Sequence, residues 1–488
     1  MKAQIKRNGS KMLIKQRINK LINITAFVVA LFSAIYNTAS YAQEQGKNNL
    51  LANMTGLPGD ISPAEKDSDK YTLSRIISYA MKNNPHIRIA AKDIEAEIYG
   101  IDSAKAERMP KIDGGAGINR YRYEYPLSPI VIQPPIGPGT DFPLFRNTVW
   151  DAGLSFKLPL FKGGRLFRGV NVAEMKKTVA DYNYRMSKQE LVYNISSVFY
   201  KIAHLEKLFL ANDASVKQLE AHRRNVEIYL KTGTAAKLDL LKTDVELSHA
   251  MENRLLVKNS LASSYELMKT LMGMDDMDVR ISIIHEKTAS EKYPALEESM
   301  DMALSRRPDY KALAKKRLIS EERVKIAEGR RLPDISVAGQ YGGLSGTDTG
   351  FRENWYYGLK LTMPIMDGGS IKSEINREKV QLEKAREEER SLKHGITREV
   401  RDAHLSIANA QERQEVTRKA IESARENLRV EMLKYDTGSA MTQDVIDAQT
   451  ALLRAETDYY QAIFDRETAL AYLKKAIGED SAGAEVGK

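Results

Sequence analysis

Two carboxylates lie one helical turn apart near the end of the chain, at Asp444 and Asp447. Side chains three residues apart share one face of a helix, so both aspartates project from the same side. Carboxylate oxygens are ligands for metal cations. Taken alone, however, the pair is more typical of hydrated charges on a helix surface than of a cation site. Both interpretations require a helix at this position.

No other pattern in the chain is typical of an active site. The sequence has no cysteine, which excludes disulfides and thiol chemistry. It contains no Gly-rich phosphate loop, nucleophile elbow or catalytic carboxylate pair. The histidines lack metal-ligand spacing; we interpret them as surface or packing residues, among them His204, His222, His249, His394 and His404. We therefore expect no enzymatic activity, no metal and no cofactor.

Proline placement indicates where the long helices run. All 15 prolines lie outside residues 160–293 and 365–488, so two stretches of more than 120 residues lack a helix breaker. Within them apolar residues recur every three or four positions, which predicts the buried stripe of a coiled coil. The stripe residues are Val172, Met175, Val179, Tyr182, Met186, Ile396, Val400, Ala403, Ile407, Ala410, Ile421, Ala424 and Leu428.

Each proline-free stretch has one internal break, Thr232-Gly233 in the first and Thr437-Gly438 in the second. A glycine just after the last helical turn can adopt a positive φ and end the helix. Each stretch therefore predicts a long helix, a tight turn and a shorter antiparallel helix. Asp239 follows the first turn, where the helix dipole favours a negative charge.

The chain repeats itself. Arg108-Met-Pro-Lys-Ile recurs as Arg331-Leu-Pro-Asp-Ile, 223 residues later. The segments around Pro159 and Pro364 also match, as do those around the two turns, now 205 residues apart. A unit of about 200 residues exceeds the period of a solenoid, so we interpret the chain as two copies of a half-domain.

Between the helical regions the apolar period changes from 3.6 to 2. Residues 148–159 and 355–364 alternate apolar and polar side chains, and glycine-rich partner strands lie near 111–123 and 334–341. One such strand alone fits a half-buried hairpin, but the duplication favours membrane-spanning strands. The loops 124–146 and 342–353 lack any period. The strand-to-helix corners are marked by Pro159, Gly163, Gly164, Pro364, Gly368 and Gly369.

The N-terminus is typical of an exported protein. Seven Lys or Arg residues and no acidic residue precede or flank an apolar stretch at 24–35, and Ser40-Tyr41-Ala42 offers a cleavage site. Removal of residues 1–42 lowers the net charge from +9 to about +2, which leaves little support for nucleic-acid binding. No later stretch is apolar enough for a membrane-spanning helix, so any span must use β-strands.

Together these segments resemble the TolC family of outer-membrane efflux proteins. The resemblance is carried by Tyr71-Thr-Leu through Asn84-Pro85, Met109-Pro110, the Pro159 and Gly163-Gly164 corner, the turn region from Tyr229 to Asp244 and their second-half equivalents. It implies a mixed, mainly α fold in which a homotrimer forms a 12-stranded β-barrel in outer-membrane lipid and a periplasmic tunnel of long helical hairpins. Such channels bind a periplasmic adaptor and an inner-membrane transporter in tripartite efflux pumps or type I secretion systems.

The same resemblance assigns roles at the hairpin turns. Asp444 and Asp447 match the aspartates of the periplasmic aperture, which would form a ring of six carboxylates that favours cations. Tyr435 and Asp239 match residues that latch the closed state. Ala440 stands where the family carries a latch arginine, and Lys237 is a candidate substitute cation. The turns at Thr232, Gly233, Thr437 and Gly438 match adaptor-docking positions.

The sequence thus predicts an outer-membrane export duct, and the alternative is a non-conducting periplasmic coiled-coil adaptor or tether. Cargo choice would belong to the inner-membrane transporter, with drugs, metal ions, peptides and proteins all open. The expected organisation is a signal peptide at 1–42, an extension at 43–70, a first repeat at 71–273 with its hairpin at 166–272, a linker at 274–295, a second repeat at 296–478 with its hairpin at 371–477, and a tail at 479–488.

Overall fold

The computed structural model describes residues 70–122, 125–126, 144–145, 148–276, 281–284, 292–346 and 352–479. All of them belong to one structural unit, Asp69–Lys488. The predicted signal peptide, nearly all of the N-terminal extension and the tail after residue 479 lie outside the described residues.

The elements follow one another in the order helices, strands, helical hairpin, and then in that order again. The first series comprises β1 (Lys70–Tyr71), α1 (Leu73–Asn83), α2 (Pro85–Ala106), β2 (Lys111–Arg120), β3 (Tyr125–Pro126), β4 (Leu144–Phe145), β5 (Thr148–Lys162), α3 (Arg165–Lys231) and α4 (Lys237–Met272). The second comprises β6 (Ser282–Ile283), α5 (Leu296–Arg306), α6 (Pro308–Glu328), a 3-10 turn (Gly329–Arg331), β7 (Asp334–Gly346), β8 (Arg352–Thr362), α7 (Ser370–Asp436) and α8 (Thr442–Ala476). The prediction of a mainly helical chain with a small sheet is confirmed.

Local sequence explains how the shorter helices begin. The Thr72 hydroxyl accepts a hydrogen bond from the Arg75 backbone N–H at 3.4 Å, and the Asn84 side-chain oxygen accepts one from the His86 N–H at 2.8 Å. These are N-cap bonds, and Pro85 at the first helical position needs no N–H partner. The Asn84 amide also donates to the Leu271 carbonyl at 2.8 Å, which ties α2 to the end of α4.

The long strands form a four-stranded antiparallel sheet in the order β2-β5-β7-β8. The central β5–β7 pair joins the two halves of the chain and brings Gly153 opposite Gly342. At that crossing a Cβ on Gly342 would lie 2.6 Å from the Ala152 carbonyl oxygen, so only glycine fits. The predicted period-2 pattern leaves its apolar side chains exposed in the single chain, among them Trp150 and Leu154.

The two predicted loops are wrong in their extent. The segment 124–146, which lacks an apolar period, contains a short strand pair, β3 with β4. Strand β7 continues through Gly346, and β8 already begins at Arg352. Backbone pairing with a neighbouring strand extends β7 into a Gly-Ser segment of low intrinsic strand preference. Sequence composition therefore predicted the end of β7 too early, near residue 341, and the start of β8 too late, near residue 355.

The hairpins α3–α4 and α7–α8 dominate the described unit. Helices α3 and α7 each have 67 residues, which at about 1.5 Å per residue gives rods on the order of 100 Å long. Ion pairs join the antiparallel helices of each hairpin: Arg254 to Asp213 at 3.0 Å in the first and Arg413 to Asp465 at 2.7 Å in the second. None of the described helices combines the length and the apolar character needed to cross a membrane.

Aromatic contacts join the two hairpins where α3 runs against α8 and the end of α7. We call this contact the inter-hairpin seam and define it by three ring pairs, with centroid distances of 5.7, 5.4 and 4.9 Å. The pairs are Tyr193–Tyr472, His204–Phe464 and His222–Tyr435. They follow one another along α3 toward its end, so the seam extends from the middle of the rod to the turn.

The largest hydrophobic core lies where α1 packs between α3 and α4. It contains fully buried Ile76, Ile195, Ile202, Met268 and Met272. The predicted stripe of α7 is likewise buried at Ile396, Val400, Ala403, Ile407 and Ala410. These positions repeat every three or four residues, so burial of one face stabilises the helix through packing rather than through intrinsic propensity.

Candidate functional site

The hairpin turns are exposed, and their Thr-Gly pairs end α3 and α7. Gly233 has φ +79° and Gly438 φ +74°, the left-handed conformation that ends a helix at low cost only for glycine. The Thr232 hydroxyl donates to the Tyr229 carbonyl at 3.0 Å, and the Thr437 hydroxyl donates to the Lys434 carbonyl at 3.0 Å. The predicted docking residues thus satisfy helix-terminal carbonyls that have no partner within the helix.

Asp239 and Asp444 occupy equivalent positions in the first turns of α4 and α8. The Asp239 carboxylate accepts a hydrogen bond from the Ala236 backbone N–H at 3.2 Å, and the Asp444 carboxylate accepts one from the Met441 N–H at 2.8 Å. A carboxylate here satisfies a free N–H and interacts favourably with the helix dipole. Both aspartates therefore stabilise their helix ends, whatever else they contact.

Asp444 and Asp447 lie together on the exposed face of α8. The Asp447 carboxylate accepts a hydrogen bond from the Gln443 amide at 2.9 Å. The opposite face buries Val445 and Ile446 against the rest of the chain. The two carboxylates therefore point away from the packing of their own chain. Among the described residues no group of acidic and histidine side chains has the geometry of a metal site.

Tyr435 lies at the end of α7 and is half-buried between the hairpins. Its hydroxyl accepts a hydrogen bond from the Thr442 hydroxyl at 3.2 Å, and its ring lies 5.8 Å from the ring of Tyr229. Burial raises the pKa of Tyr435, and the negative charge of Asp239 adds to this effect. The structure thus brings the two predicted latch residues into one neighbourhood, but within the described chain Tyr435 is hydrogen-bonded to Thr442 and Asp239 to Ala236.

His222 is the residue at this site that the sequence did not identify. It is 5% exposed, and its ring lies 4.9 Å from the Tyr435 ring at an interplanar angle of 61°. Its Nε2 has no hydrogen-bond partner among the described residues. The sequence signal that could have identified His222 is its spacing, because His222, Val226 and Tyr229 are four and three residues apart and share one helix face.

The predicted substitute for the latch arginine is not tied to the site. Lys237 is exposed at the first position of α4, and within the described part of the chain it makes no ion pair. Ala440 is half-buried in the second turn. The role of Lys237 stays a prediction.

The strand-to-helix corners contain the predicted glycine pairs. Gly163 and Gly164 have φ of +57° and +74°, and Gly368 and Gly369 have φ of +63° and +86°. Pro159 lies inside β5, where the pairing register with β7 shifts, and such irregularities are where proline is tolerated within a sheet. Pro364 follows the end of β8, on the way to the second glycine pair.

The fold, two long helical hairpins joined to a four-stranded antiparallel sheet, is that of solved outer-membrane channels. The family model "Outer membrane efflux protein" matches residues 76–274 and 300–479. The chain belongs to this outer membrane efflux protein family, and it is an outer-membrane protein.

Individual relatives support the assignment over most of the chain. The outer membrane protein TolC of Vibrio cholerae serotype O1 is 21% identical over 83% of this chain and 90% of its own length. A membrane protein from Pseudomonas aeruginosa has a similar solved structure, with a TM-score of 0.73 at 20% identity, covering 86% of this chain and 98% of that one. The CmeC outer membrane channel of Campylobacter jejuni gives a TM-score of 0.71 at 17% identity, covering 83% and 85%.

Proposed function

We propose that this protein is the outer-membrane channel-tunnel of an export system. In this proposal three copies assemble so that their strands complete one 12-stranded barrel in lipid, and their helical hairpins continue it as a periplasmic tunnel. The channel serves as the exit duct of a tripartite efflux pump or a type I secretion system, bound by a periplasmic adaptor and an inner-membrane transporter. The efflux assignment of the family favours the pump.

The strongest support for the proposal is the four-stranded sheet, with its two edges unpaired within the described chain and its exposed apolar side chains. Its outer strands, β2 and β8, each pair with one neighbour in the described chain, and an unpaired strand edge is not tolerated in lipid. Large apolar side chains of β8, including Trp355, Tyr357 and Leu359, are at least 60% exposed in the single chain. Additional copies would pair both edges, and lipid would cover the apolar face.

The helices support the same assembly. In α4 a run of large apolar side chains stays more than half exposed in the protomer: Leu238, Leu241, Val245, Leu255 and Leu256. Exposed apolar surface of this size is typical of an interface. We assign it to the neighbouring protomer in the tunnel wall. The equal lengths of α3 and α7 support the interpretation of 71–273 and 296–478 as duplicated halves that alternate around the wall.

The turns form the periplasmic end in this proposal. Asp444 and Asp447 of three copies make the aperture, Tyr435 and Asp239 hold it closed, and the Thr-Gly turns contact the adaptor. Opening is a shift between closed and open populations, which requires that adaptor and transporter bind the open state more tightly. No catalytic step is part of this function. A tether that spans the periplasm without conducting is the alternative, and it gives no role to the exposed apolar face of the sheet.

Single-channel recording in planar bilayers tests the proposal. We expect the purified trimer to conduct small, cation-selective currents, and the Asp444→Asn, Asp447→Asn double variant to lose selectivity because it removes six carboxylates. Asp275→Asn, an exposed charge far from the turns, is the matched control and should conduct like the parent.

The possible outcomes separate the parts of the proposal. Currents with unaltered selectivity in the double variant would retain the channel but refute the aperture assignment. A protein that stays out of bilayers and never conducts would support the tether.

A further inference from the structure

We propose that His222 is a positioning residue of the gate: its neutral ring holds Tyr435 between the hairpins, and protonation of His222 loosens the closed tip. This inference rests on the proposed channel function and deepens it by adding a regulation by pH. The sequence pattern indicates no special role for His222 among several surface or packing histidines. The structure places it in the last ring pair of the inter-hairpin seam, next to the turns.

The geometry makes His222 part of the contact that must change when the tips separate. The His222 ring lies 4.9 Å from that of Tyr435, whereas Tyr229, on the same helix, lies 5.8 Å away. His222 belongs to α3 and Tyr435 to α7, so their contact joins one hairpin to the other. Val226, one helical turn after His222 in the direction of the hairpin turn, is fully buried and keeps this face of α3 apolar. A hairpin that moves outward must break the His222–Tyr435 contact.

The surroundings of His222 favour the neutral ring. Its Nε2 has no hydrogen-bond partner among the described residues, so a proton added there would be buried without an acceptor. The neighbouring Arg223 is occupied elsewhere, since its guanidinium donates to Asp244 on α4 at 2.6 Å and pairs with Glu227 at 3.4 Å.

Charged and titratable groups face His222 from each hairpin. From α4 the Asp239 carboxylate and from α7 the Asp436 carboxylate favour the protonated ring. The Tyr435 ring of α7 packs on the His222 ring, and the Tyr229 ring of α3 packs on Tyr435. Burial opposes these carboxylates and prevails, so the pKa of His222 lies below its ordinary value of 6.5 in the closed structure. The α8 contribution to this cluster is the uncharged Thr442, bonded to Tyr435.

The direction of the pH effect follows from linkage. In an open tip the His222 ring is hydrated and binds protons with the ordinary pKa, whereas the closed tip binds them less readily. The closed state is therefore fully favoured above about pH 6.5, and it loses stability as the pH falls from there toward the lowered pKa. Mild acid on the periplasmic side should open the channel.

The test is open probability in planar bilayers, with the pH of the periplasmic side stepped from 7.5 to 5.5. We expect the parent channel to open at least about threefold more often at pH 5.5. His222→Phe and His222→Gln cannot gain a proton, so both should lose this increase while still conducting. The Gln variant guards against a packing defect in the Phe variant, and trimer formation on native gels verifies assembly of each.

Three controls isolate His222. His249→Gln removes an exposed histidine of α4, and His204→Phe removes the other seam histidine, whose pKa is also lowered by burial but which stacks on Phe464 away from the gate. Both should keep the acid response, as should the Asp444→Asn, Asp447→Asn channel, in which the aperture carboxylates cannot titrate. An acid response that survives in both His222 variants, or that disappears in any control, would overturn the proposal. Failure of every channel to conduct would instead refute the proposed function.

Discussion

Arg307 connects four helices through one buried guanidinium, and its removal gives the most quantitative prediction. The side chain is 11% exposed and lies between α5 and α6. It binds Asp309 through two hydrogen bonds, at 3.0 and 2.7 Å, the Glu399 carboxylate of α7 at 2.5 Å and the Ala476 carbonyl of α8 at 3.3 Å. The network thus fastens the α5–α6 junction to the second hairpin.

The cost of Arg307→Met follows from what each partner loses. Asp309 is 22% exposed, so the loss of its two-pronged partner leaves a largely desolvated carboxylate, at about 2–3 kcal/mol. Glu399 is 36% exposed, and water compensates most of its loss, which leaves about 0.5–1 kcal/mol. The Ala476 carbonyl adds about 0.5–1 kcal/mol. The expected destabilisation is therefore about 3–5 kcal/mol, the range measured when one partner of a buried ion pair is removed.

Urea unfolding of the detergent-solubilised protein, followed by circular dichroism, measures this loss. Arg307→Met, Asp309→Leu should recover at least half of it, because the double variant leaves no carboxylate unpaired at this position. Arg307→Lys should lie between, since an ammonium keeps the charge but cannot form the two-pronged bond. A loss below 1 kcal/mol in the single variant, or strictly additive losses in the double variant, would refute the reasoning.

Further predictions concern pH, the corners and the latch. Burial alone would raise the pKa of Asp309, but the hydrogen bonds from Arg307 lower it below its ordinary value. The stability that this pair contributes is therefore complete above about pH 4 and is lost as the pH falls through the lowered pKa. Acid unfolding curves should show this loss, and Arg307→Met should abolish it. Gly163→Ala should impair assembly, because its Cβ would overlap the Gly329 carbonyl oxygen. Gly164→Ala has open space and should cost only the strain of its φ of +74°, about 1 kcal/mol; thermal melting compares the two variants. Tyr435→Phe removes only the Thr442 hydrogen bond, at about 0.5–1.5 kcal/mol, and should raise entry of large hydrophilic antibiotics into cells several-fold; unchanged entry would contradict its latch role.

The family resemblance and the mainly helical class could be predicted because their signals are local. The absence of proline from residues 365–488 and the three-and-four spacing from Ile396 to Ala410 both act through neighbouring turns of one helix. The positive φ of Gly233 and Gly438 is equally local, since it depends on the backbone freedom of one residue. Even so, Met186, in the predicted buried stripe of α3, is 38% exposed. The earlier stripe residues pack with Ala312 and Ile319 of α6 in a cluster that does not include Met186.

Tertiary structure alone decided which residues meet. His222 and Tyr435 are 213 positions apart, and Arg307 and Glu399 are 92 apart, so no periodicity within one helix relates either pair. Their contacts depend on the order in which the hairpins pack and on the register at which α3 meets α7 and α8. The rods, the turns and the carboxylate face of α8 can be predicted from the sequence, because they follow from local backbone preference and one-sided burial. The contact of the buried His222 with Tyr435 required the packed structure, because burial of a side chain depends on everything that surrounds it.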